Sequence, residues 1–152
     1  MPRKSAFEYA LKLLGYRAKT EKELRLKLVE KKYQPEEIEV VLVKLAKIGL
    51  IDDQKFAVNY VRDKLSISRR GPRRIYIELI QRGVAKEIAD QATRTINKED
   101  ELEVAQTLLN TRIRQWNKLD PLAKKRRAVG LLSRRGFSPQ TIHQLIFNRA
   151  EE

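Results

Sequence analysis

Cysteine is absent from the 152-residue sequence, and histidine occurs once, as His143. Without cysteine the chain has neither disulfide bonds nor thiolate chemistry, and nothing in the composition points to an oxidising compartment. The single histidine has no cysteine or second histidine with which to complete a transition-metal site. The sequence therefore excludes thiol-dependent enzymes and predicts a protein without a bound metal.

Long apolar runs and phosphate-binding loops are missing as well. No apolar stretch approaches the roughly 18 residues needed to cross a bilayer, and the first residues lead into an amphipathic pattern instead of a signal peptide. The six glycines form neither a phosphate-binding loop nor a dinucleotide-binding fingerprint. We therefore expect a cytoplasmic protein with no membrane association, no cofactor and no catalytic centre.

The adjacent Asp52 and Asp53 form the one acidic pair to weigh as a catalytic site. Two neighbouring carboxylates are a possible Mg²⁺ site of a nuclease. They lie immediately before a predicted helix, however, where one of them would cap free backbone N–H groups and compensate the helix dipole. We interpret the pair as a helix cap, with Mg²⁺-dependent DNA cleavage as the alternative.

Positive charge dominates the composition. The chain has 33 Lys+Arg against 20 Asp+Glu, a formal net charge of +13, and each third of the sequence contributes to the excess. A folded body must therefore carry the charge, because a basic tail would have concentrated it at one end. Such an excess favours a polyanionic partner, chiefly nucleic acid or a nucleoprotein, over an acidic membrane surface or simple solubility.

Helical periodicity runs almost from end to end, and convincing strands are absent. One turn recurs at the end of a helix, with Lys32, Gly83 and Gly136 at equivalent positions 51 and 53 residues apart. This spacing predicts an all-α array of three tandem three-helix repeats, resembling helix-turn-helix units, over residues 1–50, 51–98 and 99–152. Since the first repeat has lysine where the others have glycine, we expect a different helix C-cap there.

Two stretches rich in arginine and lysine contain no acidic residue, at 64–77 and 121–150. The planar arginine fork suits phosphate or carboxylate groups, so charge alone leaves DNA and an acidic protein groove both open. In the middle helix of the second repeat, a 100° step places five apolar residues on one arc and the polar residues opposite. The predicted buried arc holds Ile75, Tyr76, Ile77, Leu79 and Ile80; the solvated arc holds Arg74, Glu78, Gln81 and Arg82.

Two motifs follow one another in the sequence: Gly-Leu-Ile-Asp-Asp-x-x-Phe-Ala from residue 49, and Gly-Pro-x-x-Ile-x-x-Glu-Leu from residue 71. Together with Leu-Leu-Ser-Arg-Arg-Gly-Phe from residue 131, they resemble the RecX family of bacterial recombination regulators over almost the whole chain. Ordinary structural roles (capping, packing, turning the chain and starting a helix) account for the motif residues themselves. These residues are Asp52, Asp53, Phe56, Gly71, Pro72, Glu78 and Leu79.

The resemblance implies a monomeric, curved array that lies in the groove of the RecA nucleoprotein filament and restrains ATP hydrolysis and strand exchange during DNA recombination and repair. It also implies some affinity for the DNA phosphate backbone and no catalytic residues. A general nucleic-acid-binding helical repeat protein is the alternative. The predicted contact residues are the exposed basic side chains beside the motifs: Arg69, Arg70, Arg73, Arg74, Arg82, Lys124, Arg126, Arg127, Arg134 and Arg135.

Overall fold

The computed structural model describes residues 3–148, and helices make up most of this range. No strand occurs within it, which confirms the predicted all-α class. Residues 1–2 and 149–152, including the basic Arg149 of the second acid-free stretch, lie outside the described range. The helices are α1 (Ala6–Tyr16), α2 (Glu21–Glu30), α3 (Pro35–Lys47), α4 (Asp53–Ser66), α5 (Pro72–Gln81), α6 (Lys86–Arg94), α7 (Lys98–Ile113), a 3₁₀ turn (Arg114–Trp116), α8 (Pro121–Arg134) and α9 (Pro139–Ile146).

Each of the three groups of helices, α1–α3, α4–α6 and α7–α9, encloses a hydrophobic core of its own. Leu24, Leu28 and Leu45 are fully buried in the first core, Ile75 and Leu79 in the second, and Leu132 in the third. Burying one such side chain contributes about 1.5–3 kcal/mol. Ile51 packs into the first core, although the predicted boundary places it in the second repeat. The chain is thus a row of three small bodies, each with its own core.

One and the same turn ends the middle helix of all three repeats. Lys32, Gly83 and Gly136 adopt left-handed φ values of 65°, 93° and 89°. The expectation of a different C-cap in the first repeat is therefore wrong, because lysine takes up the same backbone conformation as the two glycines. In each turn the following residue donates its N–H to a carbonyl oxygen five positions back: Tyr33 to Leu28 at 3.3 Å, Val84 to Leu79 at 3.0 Å and Phe137 to Leu132 at 3.0 Å.

The packing of each turn against the preceding repeat explains the glycines. A Cβ atom on Gly83 would lie 2.4 Å from Cβ of Lys22, and one on Gly136 would lie 2.3 Å from the backbone nitrogen of Arg74. Lys32, at the equivalent turn of the first repeat, is exposed. Lysine there has only the left-handed backbone strain, about 1–2 kcal/mol, to overcome.

The second and third repeats are joined through the start of α5. Gly71 donates its N–H to the carbonyl oxygen of Arg135 at 2.7 Å, and Arg73 donates its N–H to that of Gly136 at 3.1 Å. A Cβ atom on Gly71 would lie 2.5 Å from the Gly136 carbonyl, so the approach requires glycine on both sides. We call this contact the second junction. The contact between the first and second repeats, where Gly83 approaches Lys22, is the first junction.

Candidate nucleic-acid interface

The two aspartates of the first motif have different roles. Oδ1 of Asp52, the N-cap of α4, accepts the Lys55 N–H at 3.1 Å. Asp53 is the first residue of α4, and its Oδ1 accepts the N–H of Glu21 from the first repeat at 3.0 Å. Burial raises the pKa of Asp53, the hydrogen bond from Glu21 opposes the rise, and the nearby carboxylates of Glu21, Asp52 and Glu23 add to it. Asp52 therefore caps the helix, while Asp53 links two repeats.

The remaining motif residues lie in the second core or at the second junction. Phe56 is buried and stacks on Tyr60 with a ring-centroid distance of 5.8 Å. Leu79 is fully buried, and Gly71 and Pro72 begin α5 at the junction. Since none of these side chains faces open solvent as a free polar group, none is placed like a ligand-binding residue.

No group of three histidine, cysteine, aspartate or glutamate side chains is arranged to hold a metal ion in the range 3–148. Within the same range, no helix has the length and apolar character required to cross a membrane.

Arg70 is not the exposed residue that the sequence predicted. Its side chain is 27% exposed, and its Nη1 donates to both carboxylate oxygens of Glu78, at 2.5 and 2.9 Å. The same carboxylate, 16% exposed, accepts the hydroxyl of Tyr60 at 3.3 Å. The predicted solvated arc of α5 is thus wrong at Glu78, which faces inward and holds the loop before α5 against the helix.

Arg135 and Arg69 are also half-buried. Nη1 of Arg135 donates to the carbonyl oxygen of Ser68 at 3.1 Å across the second junction. Burial lowers the pKa of Arg135, and the positive charges of Arg112, Arg70 and Arg74 lower it further. Arg69 occupies the left-handed region with φ 52°. Arg135 thus bonds across the junction, and neither residue is freely exposed as predicted.

Arg73, Arg74 and Arg134 are exposed and lie together at the second junction. They line a recess of about 370 Å³ between α5 and the end of α8. Nη1 of Arg74 donates to the backbone carbonyl oxygen of Arg134 at 3.2 Å, which holds the Arg74 side chain against the end of α8. Three of the predicted contact residues therefore share one surface, although Arg134 lies 60 positions after Arg74 in the chain.

The predicted residues near the start of α8 do not line this recess. Arg126 and Arg127 are exposed, and Lys124 is half-buried. Four consecutive cations in the first half of a helix oppose the positive end of its dipole, so they do not stabilise α8 itself. They form a separate basic segment along that helix.

Isoleucine accompanies the arginines at the second junction. The exposed fractions of Ile77 and Ile80 are 44% and 37%, although helical periodicity placed both on the buried arc. Packing against α4 and α6 covers only the edge of α5 that bears Ile75 and Leu79, which is narrower than the predicted arc. The recess lined by Arg73, Arg74 and Arg134 thus borders an apolar strip.

The first junction has a basic cluster that the sequence did not reveal. Arg17, Lys64 and Arg82 line one recess of about 380 Å³, with the ring of Tyr60 among them. Arg82, predicted as exposed, is half-buried, and its Cζ lies 5.0 Å from the Tyr60 ring centroid. These cations come from three separate helices or loops, so only the contact between repeats shows that they belong together.

The fold and this surface define a small basic helical-repeat protein. Family models match all three units: the first three-helix domain of RecX at residues 6–45, the second at 52–92 and the third at 99–146. The chain belongs to the RecX family.

Relatives and solved structures agree with this assignment. The protein named Regulatory protein RecX from Mycobacterium sp. (strain JLS) is 36% identical over 138 residues, covering 88% of this chain and 75% of the relative. The protein of the same name from Amycolatopsis mediterranei is 31% identical, covering 98% of this chain and 85% of the relative. The crystal structure of RecX from Lactobacillus salivarius superposes with a TM-score of 0.86 at 26% identity, over 97% of this chain and 96% of that one.

Proposed function

We propose that this protein regulates homologous recombination as a cytoplasmic monomer that binds the RecA–DNA filament and restrains its ATP hydrolysis and strand exchange. Membership of a family whose relatives are named regulatory proteins supports a regulatory role. The observation that carries the proposal is the mixed surface at the second junction, where exposed arginines border exposed isoleucines.

This mixture favours a nucleoprotein over bare nucleic acid. Arg73, Arg74 and Arg134 provide guanidinium groups for phosphates or carboxylates. Ile77 and Ile80 gain nothing from phosphate, and exposed apolar side chains of this kind typically mark a protein contact. A DNA strand coated by a protein presents both kinds of partner along one groove.

The test is ATP turnover by RecA on single-stranded DNA. Increasing amounts of this protein should suppress turnover, at near-stoichiometric or lower ratios to RecA. The double variant Arg73→Glu with Arg134→Glu should require at least tenfold more protein for the same suppression, because reversed charges repel the polyanion. The matched control, Arg114→Glu with Lys118→Glu, makes the same charge change at exposed positions outside the junctions. Unchanged turnover across a wide titration of wild type would contradict the proposal.

A general nucleic-acid-binding protein is the second candidate, supported by the basic clusters at both junctions. It requires tight binding to bare DNA, with an affinity that falls steeply as salt increases. Weak binding to bare DNA combined with strong binding to the RecA-coated strand would decide against it.

A further inference from the structure

An apolar recess of about 580 Å³ lies where α8, α9 and the start of α5 meet. It is larger than the recesses of about 370 and 380 Å³ at the two junctions. We call it the α8–α9 recess. Its apolar lining includes Pro72, Val129, Phe137, Ile142 and Phe147. The ring of Phe147 is 46% exposed at its edge. The recess therefore has room for a large apolar side chain from another molecule.

The helices around this recess carry almost no negative charge. Together α5, α8 and α9 have seven lysines and arginines and one acidic residue, Glu78, which is paired with Arg70. Behind the lining, Glu101 is 6% exposed and accepts the Ser138 N–H at 2.8 Å. Asp120, at the start of α8, accepts the N–H of Ala123 as an N-cap. No carboxylate lines the recess itself.

Two cations border the apolar lining. Arg73 lines this recess as well as the one at the second junction. Lys125 is not part of the lining, but its Nζ lies 5.9 Å from the centroid of the Phe147 ring. Both side chains are exposed, and neither forms an ion pair within residues 3–148. An apolar recess bordered by cations complements an acidic segment that carries an apolar side chain.

The lining favours a protein segment over a nucleic-acid strand. Bases bind without sequence preference by stacking on the faces of aromatic rings. The ring of Phe147 is already flanked by Lys125 and by His143, whose ring centroid lies 5.3 Å away, and Phe137 is 4% exposed. The rest of the apolar lining is aliphatic, and an aliphatic wall stabilises an apolar side chain by removing its surface from water.

We propose that the α8–α9 recess binds an acidic segment of a partner protein. One large apolar side chain of the segment enters the recess, and its carboxylates lie against Arg73 and Lys125. This inference goes beyond the proposed function, because it assigns a second surface that uses neither DNA nor the recess between Arg74 and Arg134. Its experiment contains no RecA and no DNA, so the two proposals fail separately.

The single histidine makes the test specific. Since His143 lines the recess and no other histidine occurs in the sequence, its imidazole proton resonances report on this site alone. The probe is a fluorescent peptide of six glutamates with one phenylalanine at its centre. Adding it should shift the His143 resonances, and it should bind at least tenfold more tightly than the same peptide with central alanine. Both affinities should fall as salt increases.

Two variants separate the apolar contact from the charge. Phe147→Ala removes a half-exposed side chain outside the buried core, so the fold should persist, and the two peptides should then bind equally. Ile67→Ala, at an exposed apolar residue far along the chain, is its control and should keep the tenfold difference. Lys125→Glu should weaken both peptides alike, whereas Lys118→Glu, the same charge change at another exposed position, should weaken neither.

Three outcomes would overturn the inference. Equal binding of the two peptides to wild type would show that no apolar side chain enters the recess. Binding that leaves the His143 resonances in place would put the acidic peptide elsewhere on the protein. Oligothymidylate that shifts these resonances at lower concentrations than the phenylalanine peptide would assign the recess to nucleic acid.

Discussion

The hydroxyl of Thr20, in the first repeat, donates a 2.6 Å hydrogen bond to the carbonyl oxygen of Arg82, in the second. The same Oγ1 accepts the N–H of Glu23 at 3.1 Å and so caps α2. Thr20 is fully buried, and one oxygen atom both begins a helix and joins two repeats. The stability of the first junction thus depends on a helix cap.

Replacing Thr20 by valine preserves the shape of the side chain and removes both hydrogen bonds. We expect a loss of about 2 kcal/mol in the free energy of unfolding, from the lost cap and an unsatisfied buried carbonyl. Urea denaturation measures this difference. Thr20→Ser keeps the hydroxyl and should retain most of the stability; equal losses in both variants would show that the methyl group matters instead.

Alanine at Gly136 should be more harmful than alanine at Lys32. Its Cβ would meet the backbone of Arg74, which has no flexible end to move aside, in addition to the left-handed strain of about 1–2 kcal/mol. We expect a loss above about 2 kcal/mol in urea denaturation. Lys32→Gly, which relieves the same strain at an uncovered turn, should instead gain about 1 kcal/mol. A loss in Lys32→Gly would contradict the account of the turns.

Arg70→Glu and Arg73→Glu should separate a structural arginine from a surface one. Glutamate at position 70 would face the carboxylate of Glu78 in a half-buried site, so we expect a loss of about 2 kcal/mol. Arg73→Glu should leave the melting temperature nearly unchanged, since that side chain is exposed. The exchange Arg70→Glu with Glu78→Arg should recover part of the loss, and its failure to do so would argue against the ion pair.

Asp53→Asn should stabilise the protein in a pH-dependent way. Asparagine still accepts the Glu21 N–H through its carbonyl oxygen, but it carries no charge beside Glu21, Asp52 and Glu23. Because the folded pKa of Asp53 is raised, its ionised form destabilises the fold fully above that pKa. The destabilisation disappears as pH falls below the ordinary aspartate value of 3.8.

Melting temperatures of wild type and Asp53→Asn, measured from neutral pH to below pH 3.8, provide the test. The advantage of Asp53→Asn should be present at neutral pH and absent at the acidic end. Asp52→Asn, at the N-cap, should show no comparable gain, because its side chain caps the helix. If Asp53→Asn were less stable than wild type at neutral pH, the ionised Asp53 carboxylate would not be destabilising.

The repeats could be predicted from the sequence because their signals are local. The leucine in the last turn of each middle helix, the left-handed residue and the residue after it lie within six positions. Arg70 and Glu78 are eight positions apart, and they meet only because the loop at Arg69 turns back on α5. Helical periodicity describes positions within one helix, so it does not predict a contact made by a loop.

Lys19 shows the same limit more clearly. In the sequence it is one cation of a short basic stretch, Arg17-Ala18-Lys19, of the kind that is usually solvated. In the structure it is buried beside Thr20, which bonds to the Arg82 carbonyl of the next repeat. Contacts between repeats decide which basic residues remain exposed, and those contacts are absent from any single repeat's pattern.

The turn glycines have a consequence for how such arrays are extended. A unit added before the first repeat would pack onto the turn at Lys32, where a Cβ atom already occupies the space that Gly83 and Gly136 leave open. Duplication at this end therefore demands a second change, at position 32, before the new neighbour fits. Lengthening the protein from its amino terminus is a two-step problem for evolution and for protein engineers alike.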